Sequence, residues 1–213
     1  MKNKVYNLII LILFVLLVSE TAMAAGTDKV RERKIKAAFL YNFINFVEWP
    51  EEKMSDNEEP VIIGVVGMAE STEVFKAIAK KKIKGKKIIV KQFDDFFGLA
   101  KKLKGSKSRK KWNLAMESLK KCHIVFISEC KSMSKDDSSA IIDALKGTSV
   151  LTVGERAGFL ESGGIVSFLN EDKKIRFEVN LNSAKQNKVK IRSKLLKLAK
   201  RVIKEEKTKD AKG

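Results

Sequence analysis

The residues able to do chemistry are few. His123 is the only histidine in 213 residues, and it stands directly after Cys122. A thiol beside an imidazole is the raw material of a nucleophile and its base. Without a second histidine, neither a His-based metal site nor a hydroxyl–imidazole–carboxylate relay can be assembled from it. Both residues open the apolar run Cys122-His123-Ile124-Val125-Phe126-Ile127, so a histidine satisfied inside the fold is preferred over a catalytic pair. Asp94-Asp95 has the look of a phospho-receiver acidic pair but does not stand at a strand end. Gly64-Val65-Val66-Gly67 is a strand end rather than a phosphate-binding loop, and neither GxSxG nor GxGxxG occurs. The reading is no catalytic residue, no cofactor and no metal site.

Binding is the better prospect. Val153-Gly154-Glu155-Arg156-Ala157-Gly158-Phe159-Leu160-Glu161-Ser162-Gly163-Gly164 places four glycines after a strand. In parallel α/β sheets, ligands sit beyond the carboxyl ends of strands, and glycine there permits close backbone approach. Glu155 and Arg156 are candidate contacts for a polar ligand or partner. A long turn that merely reverses the chain into a hairpin explains the same residues equally well. Lys190 and Arg192, two positions apart, are candidate contacts for a carboxylate or phosphate, against a default of exposed helix.

The elements that would position these residues follow from the apolar pattern. Ile35, Phe39, Phe43 and Phe46 recur at helical spacing, and Ala37, Leu40, Ile44 and Val47 widen the stripe. Such a helix must be packed on two sides, and Trp49-Pro50 stops it. Val61–Val66, Lys87–Lys91, Cys122–Ser128 and Ser149–Val153 read as strands, the continuous runs among them covered on both faces. Helices are expected over Ser71–Lys80, Phe93–Lys104, Trp112–Leu119 and Ser134–Leu145, with Gly105–Lys111 as a loop. This β-α-β rhythm predicts a single α/β domain with a largely parallel sheet and helices on both faces. Ile165–Leu169 and Ile175–Val179 read as a β-hairpin, and Ser183 to about Lys204 as a long C-terminal helix.

Residues 1–24 read as an export signal: Lys2 and Lys4, the apolar run Leu8–Val18, then the Ala22-Met23-Ala24 cleavage site. Residues 25–204 then form the domain and 205–213 a charged tail. Removing Lys2, Lys4 and Glu20 lowers the net charge from +18 to +17. Most of the excess is lysine-rich solvated surface, with Lys76–Lys111 its densest stretch. Export and the scarcity of interleaved aromatics argue against nucleic acid; anionic headgroups or an acidic membrane partner fit better. Unless the chain doubles back sharply after Ser128, Cys122 and Cys130, eight strand steps or roughly 20 Å apart, are too distant to form a disulfide, which needs about 7 Å or less between Cα atoms.

The run KAAFLYNFINFVEWP, followed by CHIVFI, SVLTVGE, GGIV, IRFEVN and SKLLKLA in that order, resembles the YfiR family of periplasmic proteins. The resemblance spans about Arg33 to Arg201. It implies a non-catalytic periplasmic regulator that binds and represses an inner-membrane signalling enzyme, a diguanylate cyclase or sensor kinase, with a homodimer allowed. It also associates the stretch holding Lys190 and Arg192 with small anionic or amino-acid-like ligands. A free-standing periplasmic module for a small anionic ligand is the alternative. Relatives that staple the Cys122 strand use a cysteine in the preceding strand, which falls near Gly64 here.

Overall fold

The computed structural model describes residues 28–54, 59–67, 72–93, 106–130 and 133–205. The expected export signal, most of the Phe93–Lys104 helix and nearly all of the charged tail lie outside these residues.

Helix α1 covers residues 28–46. It stops before Trp49-Pro50 because Val47–Glu48 (β1) pairs antiparallel with Lys190–Ile191 (β9). The intervening chain supplies β2 (Val61–Val66), α2 (Thr72–Ala79), β3 (Lys82–Ile83), β4 (Lys86–Phe93), α3 (Ser106–Lys120) and β5 (Ile124–Ile127). It continues with α4 (Lys135–Ala144), β6 (Leu151–Gly154), β7 (Val166–Glu171), β8 (Lys174–Asn180) and α5 (Leu181–Gln186). After β9 come α6 (Ser193–Leu196) and β10 (Arg201–Ile203).

The central sheet has the order β10-β8-β7-β6-β5-β2-β4-β3. From β7 to β4 every neighbouring pair is parallel, as the β-α-β rhythm predicts. The β7–β8 hairpin is antiparallel and turns through Asp172 and Lys173, both at positive φ.

Two cores separate by face. One joins Phe43, Phe126, Phe168 and Phe177 beneath α1 and α2; Phe39 bridges Phe168 and Phe177 with ring centroids 5.7 Å from each. The other joins Val125, Ile127, Met116, Leu119, Ile141 and Ile142 beneath α3 and α4. Ser134 and Asp137 close a capping box on α4, each side chain bonded to the other's backbone N–H.

Two expectations are corrected. Of the loop expected over Gly105–Lys111, residues Ser106–Lys111 are helix, since α3 already begins at Ser106; lysine and arginine are good helix formers, and only one face of α3 must be apolar. The long C-terminal helix does not form. Asn187 ends α5, and Lys188 turns the chain at φ 54°. Asn187 is buried, its Oδ1 accepting from Gly147 N–H at 3.1 Å and its Nδ2 donating to Ser183 C=O at 3.1 Å. Beyond it Val189 and Ile191 alternate inward, as in a strand, and β10 adds to the sheet edge parallel to β8.

Candidate functional site

At the carboxyl end of the sheet, β6 leads directly into Glu155. Its carboxylate accepts from Ser128 Oγ at 2.6 Å and from Glu129 N–H at 2.8 Å, both just beyond β5. It also pairs with Lys36, which reaches across from α1 and binds Glu32 one turn earlier. Lys36 is 7% exposed. Burial opposes its charge, but the Glu155 and Glu32 carboxylates outweigh that and raise its pKa. A buried charge is tolerated when it is paired and hydrogen-bonded in this way. Glu155 therefore ties α1 to the ends of β5 and β6.

Arg156 is turned differently. Its Nη2 donates to Met133 C=O at 2.8 Å, and its Nε lies 3.8 Å from Glu129. It clips the β5–α4 connection to the β6 loop.

The glycines of that loop have a packing reason. A Cβ added at Gly154 would lie 2.3 Å from the Phe159 ring, and one at Gly164 would lie 2.1 Å from it. The ring is held between two bare backbones and is 3% exposed. Gly158 and Gly163 sit at φ 77° and 94°, where a side chain would be strained. Ile165 N–H then bonds Thr152 Oγ1 at 3.1 Å, joining the loop's end to β6. This geometry is that of a packed chain reversal.

Lys190 and Arg192 lie at the opposite end of the sheet. Both face Glu48 of β1, at 3.3 Å and 2.9 Å. The two cations hold the Glu48 carboxyl below its usual range, the Arg192 hydrogen bond leading. The structure thus separates the four candidates into two pairs, and each pair already has partners within the chain.

Near Glu48, the amino end of β5 holds the chemically suggestive pair. His123 Nδ1 accepts from Ile62 N–H at 3.1 Å. That leaves the proton on Nε2, which donates to Lys53 C=O at 2.8 Å. Trp49 packs edge-on to the imidazole at 5.9 Å. Burial, reinforced by the Lys53 and Lys86 charges, pushes the His123 pKa down to about 4. Burial pushes the Cys122 thiol up to about 11, the wrong direction for a nucleophile. His123 is a clamp between β2 and the 49–54 segment, the satisfied histidine expected from its setting. Lys53 closes the same corner by donating its Nζ to Lys120 C=O. No sequence signal could have shown the partners Lys36 and Lys53, since each bond joins residues far apart in the chain.

Neither Cys122 nor Cys130 is in a disulfide. Among the described residues no His, Cys, Asp and Glu cluster could hold a metal, and no helix is long and apolar enough to cross a membrane.

Residues 33–200 match the YfiR/HmsC-like family, covering most of α1 and every element from β1 to α6. The chain belongs to that family. No protein of curated function matches. Among solved structures, the chain is similar to a conserved domain protein from Vibrio cholerae O1 biovar El Tor, at 14% identity and TM-score 0.48, over 71% of this chain and 57% of that one. It is also similar to an ABC domain from Streptococcus pneumoniae in complex with L-Trp, at 13% identity and TM-score 0.47, over 67% and 55%. The chain spans little more than half the length of either structure.

Proposed function

We propose that this protein is a non-catalytic regulator, exported to the periplasm with its leader removed after Ala24. It docks on the periplasmic part of an inner-membrane signalling enzyme, of diguanylate-cyclase or sensor-kinase type, and holds that enzyme inactive. The observation that carries this reading is family membership across residues 33–200. The state of the reactive groups supports it: His123 and Glu155 are committed to internal hydrogen bonds and Cys122 is buried as a thiol. Repression needs no chemistry. The regulator binds one conformation of the partner better than the other and shifts output by that difference in affinity.

Deletion of the gene tests the reading. Cellular cyclic-di-GMP, or phosphorylation of the kinase's response regulator, should rise on deletion and return on complementation. Unchanged levels of both would contradict it.

The alternative, a free-standing module for a small anionic ligand, draws less from the geometry. Glu155 is engaged by Lys36, Arg156 by the Met133 carbonyl, and Lys190 and Arg192 by Glu48. A melting shift with a small anion, lost in Lys190→Glu/Arg192→Glu, would favour it.

A further inference from the structure

The outer face of α3 is a strongly basic surface not used above. The helix holds Lys107, Arg109, Lys110, Lys111 and Lys120 against one acid, Glu117, and that acid pairs with Lys120 at 2.8 Å. No acidic residue stands in the first turn. Cations there oppose the helix dipole, whose positive pole is the N-terminus. A chain that caps α4 with a full box yet loads the start of α3 with lysine breaks a local rule, and such breaks mark use outside the fold.

Lys107, Lys110, Lys111 and Leu114 fall on one helical stripe, all exposed, and Leu114 is 61% exposed. The opposite face, Met116 and Leu119, is buried in the core and fixes the helix roll. Ile89, 40% exposed, lies on the same side of the sheet, since it pairs with Ile62, which packs on that core.

We propose that this face rests on an anionic lipid surface, with the α3 lysines against the headgroups and Leu114 at the interface. The composition selects the occupant. Protein interfaces are enriched in aromatics and arginine and depleted in lysine, whereas this stripe is lysine around an isolated aliphatic. A layer of phosphates is met by point charges without matched geometry. A second copy of the chain would set lysine against lysine. The face is independent of which signalling enzyme the regulator binds.

The test is co-sedimentation of the mature chain, residues 25–213, with vesicles of phosphatidylglycerol and phosphatidylcholine, compared with phosphatidylcholine alone. Lys107→Glu/Lys110→Glu/Lys111→Glu is set against Lys174→Glu/Lys185→Glu/Lys194→Glu, exposed positions elsewhere with the same change in net charge. Each lysine at an anionic surface contributes about fivefold in affinity, so the α3 variant should bind roughly a hundredfold more weakly and the control much less so. The α3 reversal adds acid near the helix start, which favours folding, so its Tm should not fall. In Leu114→Trp, the indole emission should shift to the blue on anionic vesicles only. Equal binding to both vesicle types, or equal loss in both variants, would overturn the proposal. So would an α3 variant that keeps vesicle binding but no longer retains a membrane protein, which would assign the face to a protein partner.

Discussion

His123 should make this protein acid-sensitive below about pH 6.5, where an unfolded imidazole begins to take up a proton. Protonating Nδ1 would point an N–H at the Ile62 N–H, which it now accepts from at 3.1 Å, and would add charge beside Lys53 and Lys86. The folded pKa, about 4, lies below the unfolded value of about 6.5. Between the two, the unfolded chain takes a proton that the native chain refuses, so stability is complete above about pH 6.5 and declines as pH falls. Over pH 7 to 5 the linkage comes to about 2 kcal/mol. His123 is the only histidine, and the carboxylates held low by their cations, such as Glu48 and Glu171, lose their contribution only below this range. Urea unfolding of the wild type and of His123→Gln, followed by circular dichroism at half-unit steps, would measure it. The wild type should lose about 2 kcal/mol between pH 7 and 5, and His123→Gln should be nearly flat, though less stable at pH 7. A flat wild-type profile, or parallel slopes, would refute the clamp.

Three further outcomes follow from the packing. Glu155→Ala leaves Lys36 buried with only Glu32 and frees Ser128 Oγ and the Glu129 N–H; it should cost about 3–5 kcal/mol in chemical denaturation, and Lys36→Met/Glu155→Gln should cost less than the two single changes summed. Gly154→Ala and Gly164→Ala each drive a methyl into the Phe159 ring and should cost at least about 2–3 kcal/mol, a penalty that shrinks in a Phe159→Ala background. In Gly64→Cys the new Cβ would lie 3.0 Å from Cys122 Sγ, a separation that suits a disulfide. Oxidised, the closed loop should stabilise by up to about 4 kcal/mol. Reduced, the variant should be less stable than wild type, because Leu119 and Phe93 crowd the site at 3.3 Å. Equal melting with and without reductant would count against this register.

Where burial is continuous along the chain, the fold was legible. Val61–Val66 and Ile124–Ile127 are apolar runs buried between two layers, and the helix expected over Ser134–Leu145 is present as α4. Legibility failed where one pattern serves two periods. Val189, Ile191 and Leu195 fit a helix on paper, but the buried Asn187 and the positive φ at Lys188 break the helix through a contact to Gly147 that no local spacing encodes. Ser106–Lys111 was misread for the opposite reason, because a surface helix needs little apolar signal.

The candidate residues divided along the same line. The spacing of Glu155 and Arg156 after β6 placed them correctly at the carboxyl ends of the strands. Their partners, Lys36, Ser128 and Met133, are far away in sequence, so the loop's role in packing could not be separated from ligand binding. Phe159 between Gly154 and Gly164 was equally hidden, since a glycine that admits a ligand and one that admits a ring look the same in sequence.

The regulator account stands or falls on a partner. The most direct measurement is recovery of membrane proteins on this protein from solubilised inner membrane, at low and high salt. The account predicts that one diguanylate cyclase or sensor kinase is retained at low salt and released as salt screens the basic surface. Recovery of no membrane signalling enzyme at either salt concentration would contradict it.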